Sequence, residues 1–104
     1  MDKIQIFEYS LKNKSFKYLQ DKCMEEMSEL IQAIFKAREQ GEDHSIDIEK
    51  EFADVSLMMQ QIRYCYDHKT DGLFSQHVVV YEQVKCDKLW SIWHDDITLD
   101  EDEK

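Results

Sequence analysis

Proline is absent from this chain, and glycine occurs only at Gly41 and Gly72. Proline and glycine are the main punctuation of turns and helix ends. So few breaks in 104 residues with 42% hydrophobic content point to a few long helices. Basic surface is also scarce. The formal net charge is −10, and no stripe of lysine and arginine interrupts it. A nucleic-acid backbone or an anionic membrane surface needs such a stripe, so neither is an expected partner. An acidic protein still binds phosphate when a divalent cation mediates the contact. Cysteine is sparse and odd in number: Cys23, Cys65 and Cys86 show no CxxC spacing. They read as reduced thiols of a cytoplasmic protein. No apolar run is long enough to span a bilayer, and no signal peptide is visible.

What is present is helical periodicity. Ile4, Phe7 and Leu11 mark a short helix or ordered arm. Asn13 or Ser15 is placed to cap the next element. From Phe16 to about Ala37, apolar residues recur at Phe16, Leu19, Cys23, Met27, Leu30 and Ile34, the steps of three and four of an amphipathic helix. Met24, Ile31 and Phe35 widen that stripe. The polar segment Arg38–His44 holds Gly41, a helix stop. A second helix, capped by Ser45 or Asp43, carries Ile48, Phe52, Val55, Met59, Ile62 and Tyr66 in the same steps. Asp67–Gly72 is the second break. In Leu73–Trp93, Val78-Val79-Val80 favours strand by propensity. The spacing of Val79, Cys86, Leu89, Trp90 and Trp93 favours helix, and a lone strand has nothing to pair with. The expected organisation is one all-α domain over residues 1–94, an antiparallel hairpin with a third helix. An acidic, disordered tail over residues 95–104 follows, with six acids and one lysine.

The acids stand in an informative pattern. At about 100° per residue, with Met27 at the stripe centre, Glu26 falls at about −100°, Lys22 at about −140° and Glu29 at about −160°. Glu26 and Glu29 therefore share a flank. With Val55 at the centre of the second stripe, Asp54 falls at about −100° on the edge and Glu51 at about −40°, inside it. A carboxylate turned toward a core is strongly unfavourable unless a cation or a basic side chain meets it. The midpoint between the two acidic pairs lies at about residue 40, beside Gly41, so a hairpin folded there brings both pairs to one height. Taken alone, an i, i+3 acidic pair is the ordinary content of a solvated helix face. The core-facing Glu51 and the matched heights weigh toward a site, and on the residues alone the two readings stand level. Oxygen-only donors select Mg²⁺ or Mn²⁺, with Ca²⁺ a third option, over zinc or copper.

These residues resemble a known family. Glu25-Glu26-Met27-Ser28-Glu29, then 21 residues, then Glu51-Phe52-Ala53-Asp54, is similar to the EExxE…ExxD pattern of MazG-like all-α nucleoside triphosphate pyrophosphohydrolases. Lys85-Cys86-Asp87-Lys88-Leu89 resembles a K-x-[DE]-R-L stretch late in that fold, with Lys88 where arginine is common. The likeness runs from about Phe16 to Trp90. It implies a four-helix-bundle-type site completed in a homodimer or homotetramer. It also implies Mg²⁺-dependent cleavage of a nucleoside triphosphate, expected to be a deoxynucleotide, into monophosphate and pyrophosphate, with Mn²⁺ as a substitute ion. By position, Glu26, Glu29, Glu51 and Asp54 match the metal ligands. Glu25 or Glu29 would orient or deprotonate water, and Lys22, Lys85 and Lys88 would face phosphates. The unusual Val78–Tyr81 run suggests that the last helix starts late. Two alternatives stay open: a dUTPase-like or dCTP-specific hydrolase on the same scaffold, and a non-catalytic helical oligomerisation or regulatory module. The histidines, scattered without ligand spacing, read as surface residues, and the cysteines as core or near-core thiols.

Overall fold

A computed structural model of the protein describes residues 1–95, and within them it is helical apart from short connections. The elements are α1 (Lys3–Asn13), α2 (Phe16–Glu39), α3 (Ile46–Thr70) and α4 (Leu73–Asp95). The all-α expectation holds. Of the acidic tail expected over residues 95–104, Asp95 closes α4 and 96–104 lie outside the described residues.

Each helix start is written locally. Asp2 and Gln5 form a capping box on α1, with backbone-to-side-chain bonds of 2.9 and 3.2 Å. Of the two candidates before α2, Ser15 is the cap, its hydroxyl accepting from the Tyr18 N–H at 3.1 Å. Ser45 does the same for α3 with Ile48 at 3.2 Å. Gly41 adopts φ 72°, the left-handed conformation that ends a helix, and the Glu42 N–H reaches back to the Ala37 carbonyl at 2.9 Å.

The second break is shorter than expected. α3 runs on through Thr70, and only Asp71 (φ 52°) and Gly72 (φ 82°) turn the chain. Nor does the last helix start late. The Asp67 carboxylate accepts the Ser75 N–H at 2.8 Å and also the Ser75 hydroxyl. Arg63 donates to that hydroxyl at 2.8 Å, and Thr70 Oγ1 accepts the Phe74 N–H at 3.0 Å. Side chains of α3 thus satisfy the first donors of α4, and the valine run follows as helix against its propensity. These bonds hold the Asp67 carboxyl below the usual aspartate range, the Ser75 hydroxyl contributing most. Asp67→Ala should therefore lower unfolding stability by about 1 kcal/mol in a denaturant titration. That loss should disappear as pH falls through and below the lowered Asp67 value, where the wild-type side chain is protonated too.

α3 is the hub. α1, α2 and α4 each pack against it and, among the described residues, not against one another. Gln61 of α3 donates to the buried Ser10 hydroxyl of α1, and Phe7 lies against Tyr64. The α2–α3 hairpin is antiparallel: Gln20 meets Tyr66 at 2.7 Å, and Cys23 Sγ lies 3.9 Å from Met59 Sδ. Its seam differs from the expected stripe. On α2 the buried residues are Leu19, Cys23, Ala33 and Ala37, with Leu30 half-buried, whereas Met27 and Ile34 are exposed. Small side chains at the seam let the helices approach closely, and the larger ones are displaced to a flank. On α3, Phe52 was expected inside the stripe but is 64% exposed. Cys23 and Cys65 are core thiols, while Cys86 is exposed. All four histidines are exposed.

Candidate metal centre

The seam places the acids. Counting from Leu19 at about 100° per residue, Cys23, Leu30, Ala33 and Ala37 fall within about 40° of the contact line, and Glu26 falls about 20° from it. Glu26 is therefore a seam residue. The flank position expected from a Met27-centred stripe is corrected by one helical step. Glu29 lies about 80° to one side. On α3, Glu51 is half-buried in the seam with Ile48 and Val55, and Asp54 stands exposed on the adjoining edge.

The hairpin brings these groups together. Glu26, Glu51 and Asp54 each offer one carboxylate oxygen, and the three atoms lie within 4.8 Å of one another. Oε2 of Glu26 and Oε2 of Glu51 are shielded from solvent and have no hydrogen-bond partner. Burial pushes the Glu26 carboxyl above the ordinary glutamate range, and the charges of Glu29 and Asp54 push it further. Glu51 is raised by burial first, then by Glu29, Asp54 and Glu26. No basic side chain relieves them: the ion pairs among the described residues are Lys17–Asp21, Lys22–Glu25 and His44–Glu49.

Orphaned, clustered, all-oxygen donors are what a hard divalent cation satisfies. The donor set suits Mg²⁺ or Mn²⁺ and lacks the sulfur or imidazole that zinc and copper favour. Glu29 lies close enough to the three clustered acids for its charge to act on both buried carboxylates.

The remaining site candidates stand elsewhere. Glu25 is exposed and turned to Lys22 at 3.5 Å. That contact is the main cause of the raised Lys22 pKa, so Lys22 stays protonated beside the cluster. Lys85 and Lys88 are exposed on the part of α4 whose residues are all exposed, and neither forms an ion pair with the acids. Sequence reasoning singled out Glu26, Glu29, Glu51 and Asp54, of which the hairpin brings Glu26, Glu51 and Asp54 into one cluster, and it missed that Glu26 occupies the seam. The signal was available in Cys23, Ala33 and Ala37, small residues in step with it.

Neither a protein-family model, nor a curated protein, nor a solved structure matches this chain significantly.

Proposed function

We propose that the chain is a divalent-cation-dependent hydrolase that splits a nucleoside triphosphate between its α and β phosphates, giving a nucleoside monophosphate and pyrophosphate. The observation that carries this reading is the convergence of Glu26, Glu51 and Asp54 within 4.8 Å with two buried, unpartnered oxygens. The arrangement of Glu25, Glu26, Glu29, Glu51 and Asp54 supplies the choice of reaction, through its resemblance to the MazG-like pattern.

Glu26, Glu51 and Asp54, with Glu29 beside them, would hold Mg²⁺ or its substitute Mn²⁺. Bound there, the ion supplies charge neutralisation of the triphosphate and a lowered pKa for water. The chain's own part is positioning and proton management, which is most of what phosphoryl transfer requires. Water adds to phosphorus on one side of the α–β bridge, the bridging P–O bond breaks, and one proton leaves the water. Glu29 takes that proton, being half-buried next to the ligands. Glu25 is better placed to hold Lys22 than to accept it. Lys22, one turn before Glu26, stays charged and offsets the departing pyrophosphate. No helix among the described residues is long and apolar enough to cross a membrane, and the cytoplasmic nucleotide pool is the proposed source of substrate.

A non-catalytic helical module that binds no metal would leave the two orphaned oxygens without a purpose, and one that binds a metal structurally would use them without releasing pyrophosphate. The test is pyrophosphate release from a panel of canonical and modified ribo- and deoxyribonucleoside triphosphates, with Mg²⁺ and with EDTA. Release from at least one member, abolished by EDTA, is expected. Silence across the panel from a folded sample contradicts the proposal.

A further inference from the structure

We propose that the apolar side of the α2–α3 seam holds a soft monovalent metal ion, Cu(I), on the sulfurs of Cys23, Met27 and Met59. Cys23 and Met27 stand one turn apart on α2, and Met59 meets Cys23 from α3. Cys23 Sγ lies 3.9 Å from Met59 Sδ. Two sulfurs about 2.3 Å from one ion, spread as in a three-coordinate site, lie about 4 Å apart. The contact therefore already has the spacing of two ligands on one metal. Met24 and Met27 line the same shallow cavity as Cys23, with a volume of about 280 Å³. Ile62 bounds it on the α3 side, three residues after Met59 and on the same helix face.

The cavity offers no harder donor that is free. No imidazole or carboxylate lines it, and the Gln20 amide is turned to Tyr66 at 2.7 Å. One thiol with thioethers is a soft donor set. Closed zinc sites take four thiolate, imidazole or carboxylate ligands, and here there is one. Hard Mg²⁺ belongs instead to the oxygens of Glu26, Glu51 and Asp54.

Charge makes the same choice. Burial pushes the Cys23 thiol up, so a bare thiolate is disfavoured in the seam. A monovalent ion on one thiolate is neutral overall, whereas a divalent ion leaves a net charge beside apolar side chains. On binding, the Cu–S bond forms as the S–H bond gives its proton to solvent, and copper stays Cu(I). Plain packing accounts for the buried Cys23. It gives no reason for thioethers at Met24 and Met27, which are exposed on the same cavity. The site does not depend on the hydrolase reading.

An anaerobic titration of the full chain with Cu(I), against a chromophoric chelator and with Mg²⁺ in excess, tests it. One Cu(I) bound and one proton released per chain are expected. Loss of an outer-shell partner alone costs metal sites about 10- to 100-fold, so Cys23→Ser should weaken binding at least about 100-fold. Met27→Leu and Met59→Leu should each weaken it about 10-fold. Leucine keeps the volume of methionine, so both variants should retain the helical circular dichroism. Cys86→Ser, which removes the exposed thiol of α4, should change nothing. Absence of binding, loss of binding in Cys86→Ser, or unchanged affinity in both leucine variants (adventitious thiol binding only) overturns the assignment.

Discussion

Glu51→Gln is expected to lower cation-dependent pyrophosphate release by at least about 100-fold while the helical content is unchanged. Loss of an outer-shell partner alone typically costs metal sites about 10- to 100-fold, and Glu51 is placed to touch the ion itself. The substitution keeps shape and removes one charge. It also exchanges an orphaned oxygen for an amide that binds Mg²⁺ poorly. Glu26→Gln should behave alike, because the other shielded oxygen belongs to Glu26. The check is initial rate against Mg²⁺ concentration. Full activity in Glu51→Gln, at the same Mg²⁺ dependence, would remove Glu51 from the site.

The second large effect concerns stability. The Glu51 carboxyl is raised by burial and by its acidic neighbours, so its folded-state pKa lies above its unfolded one. The native state therefore holds this proton more tightly than the unfolded chain does. Its contribution to stability is full below the unfolded value and is lost as pH rises through the folded value. Without divalent cation, wild type and Glu51→Gln should melt alike in acid. The variant should become progressively more stable than wild type as pH approaches neutrality. Asp67, whose shift has the opposite sign, is common to both chains and cancels in the difference. Glu26 is raised too and is the last of the charges acting on Glu51, so the margin also includes its effect. Mg²⁺ should then reverse the order at neutral pH. A cation at about 100 times its Kd stabilises the native state by about 2.7 kcal/mol, and the variant forgoes most of this. Thermal melts of both chains, in acid and at neutrality, with Mg²⁺ and with EDTA, read all four corners. A margin that shrinks with rising pH, or equal stabilisation of both chains by Mg²⁺, would sink the account of this pair.

The helices were legible because their ends are written in local chemistry. Ser15, Ser45 and Gly41 act on their own neighbours, so spacing alone finds them. The common height of the two acidic pairs was equally readable, since it follows from residue counting about one turn. The seam was not. Hydrophobicity drew the stripe through Met27 and Phe52, but close approach of two helices selected Cys23, Ala33 and Ala37. A stripe computed from apolar character is thereby rotated toward the large residues, which here face outward. The start of α4 was hidden for a different reason. Its first donors are satisfied by Asp67 and Thr70, residues of the preceding helix that the sequence reading had assigned to a break. The exposed apolar surface of α4 was also invisible to periodicity, which finds that a helix is apolar and not what covers it.

The central claim is that these carboxylates serve cleavage of a triphosphate at the α–β bridge. Phosphorus-31 spectra of a Mg²⁺-containing reaction with a mixture of nucleoside triphosphates test it most directly. Signals of nucleoside monophosphate and pyrophosphate, rising together and absent with EDTA, are the predicted result. Intact triphosphates over folded protein, or diphosphate with inorganic phosphate in their place, would contradict it.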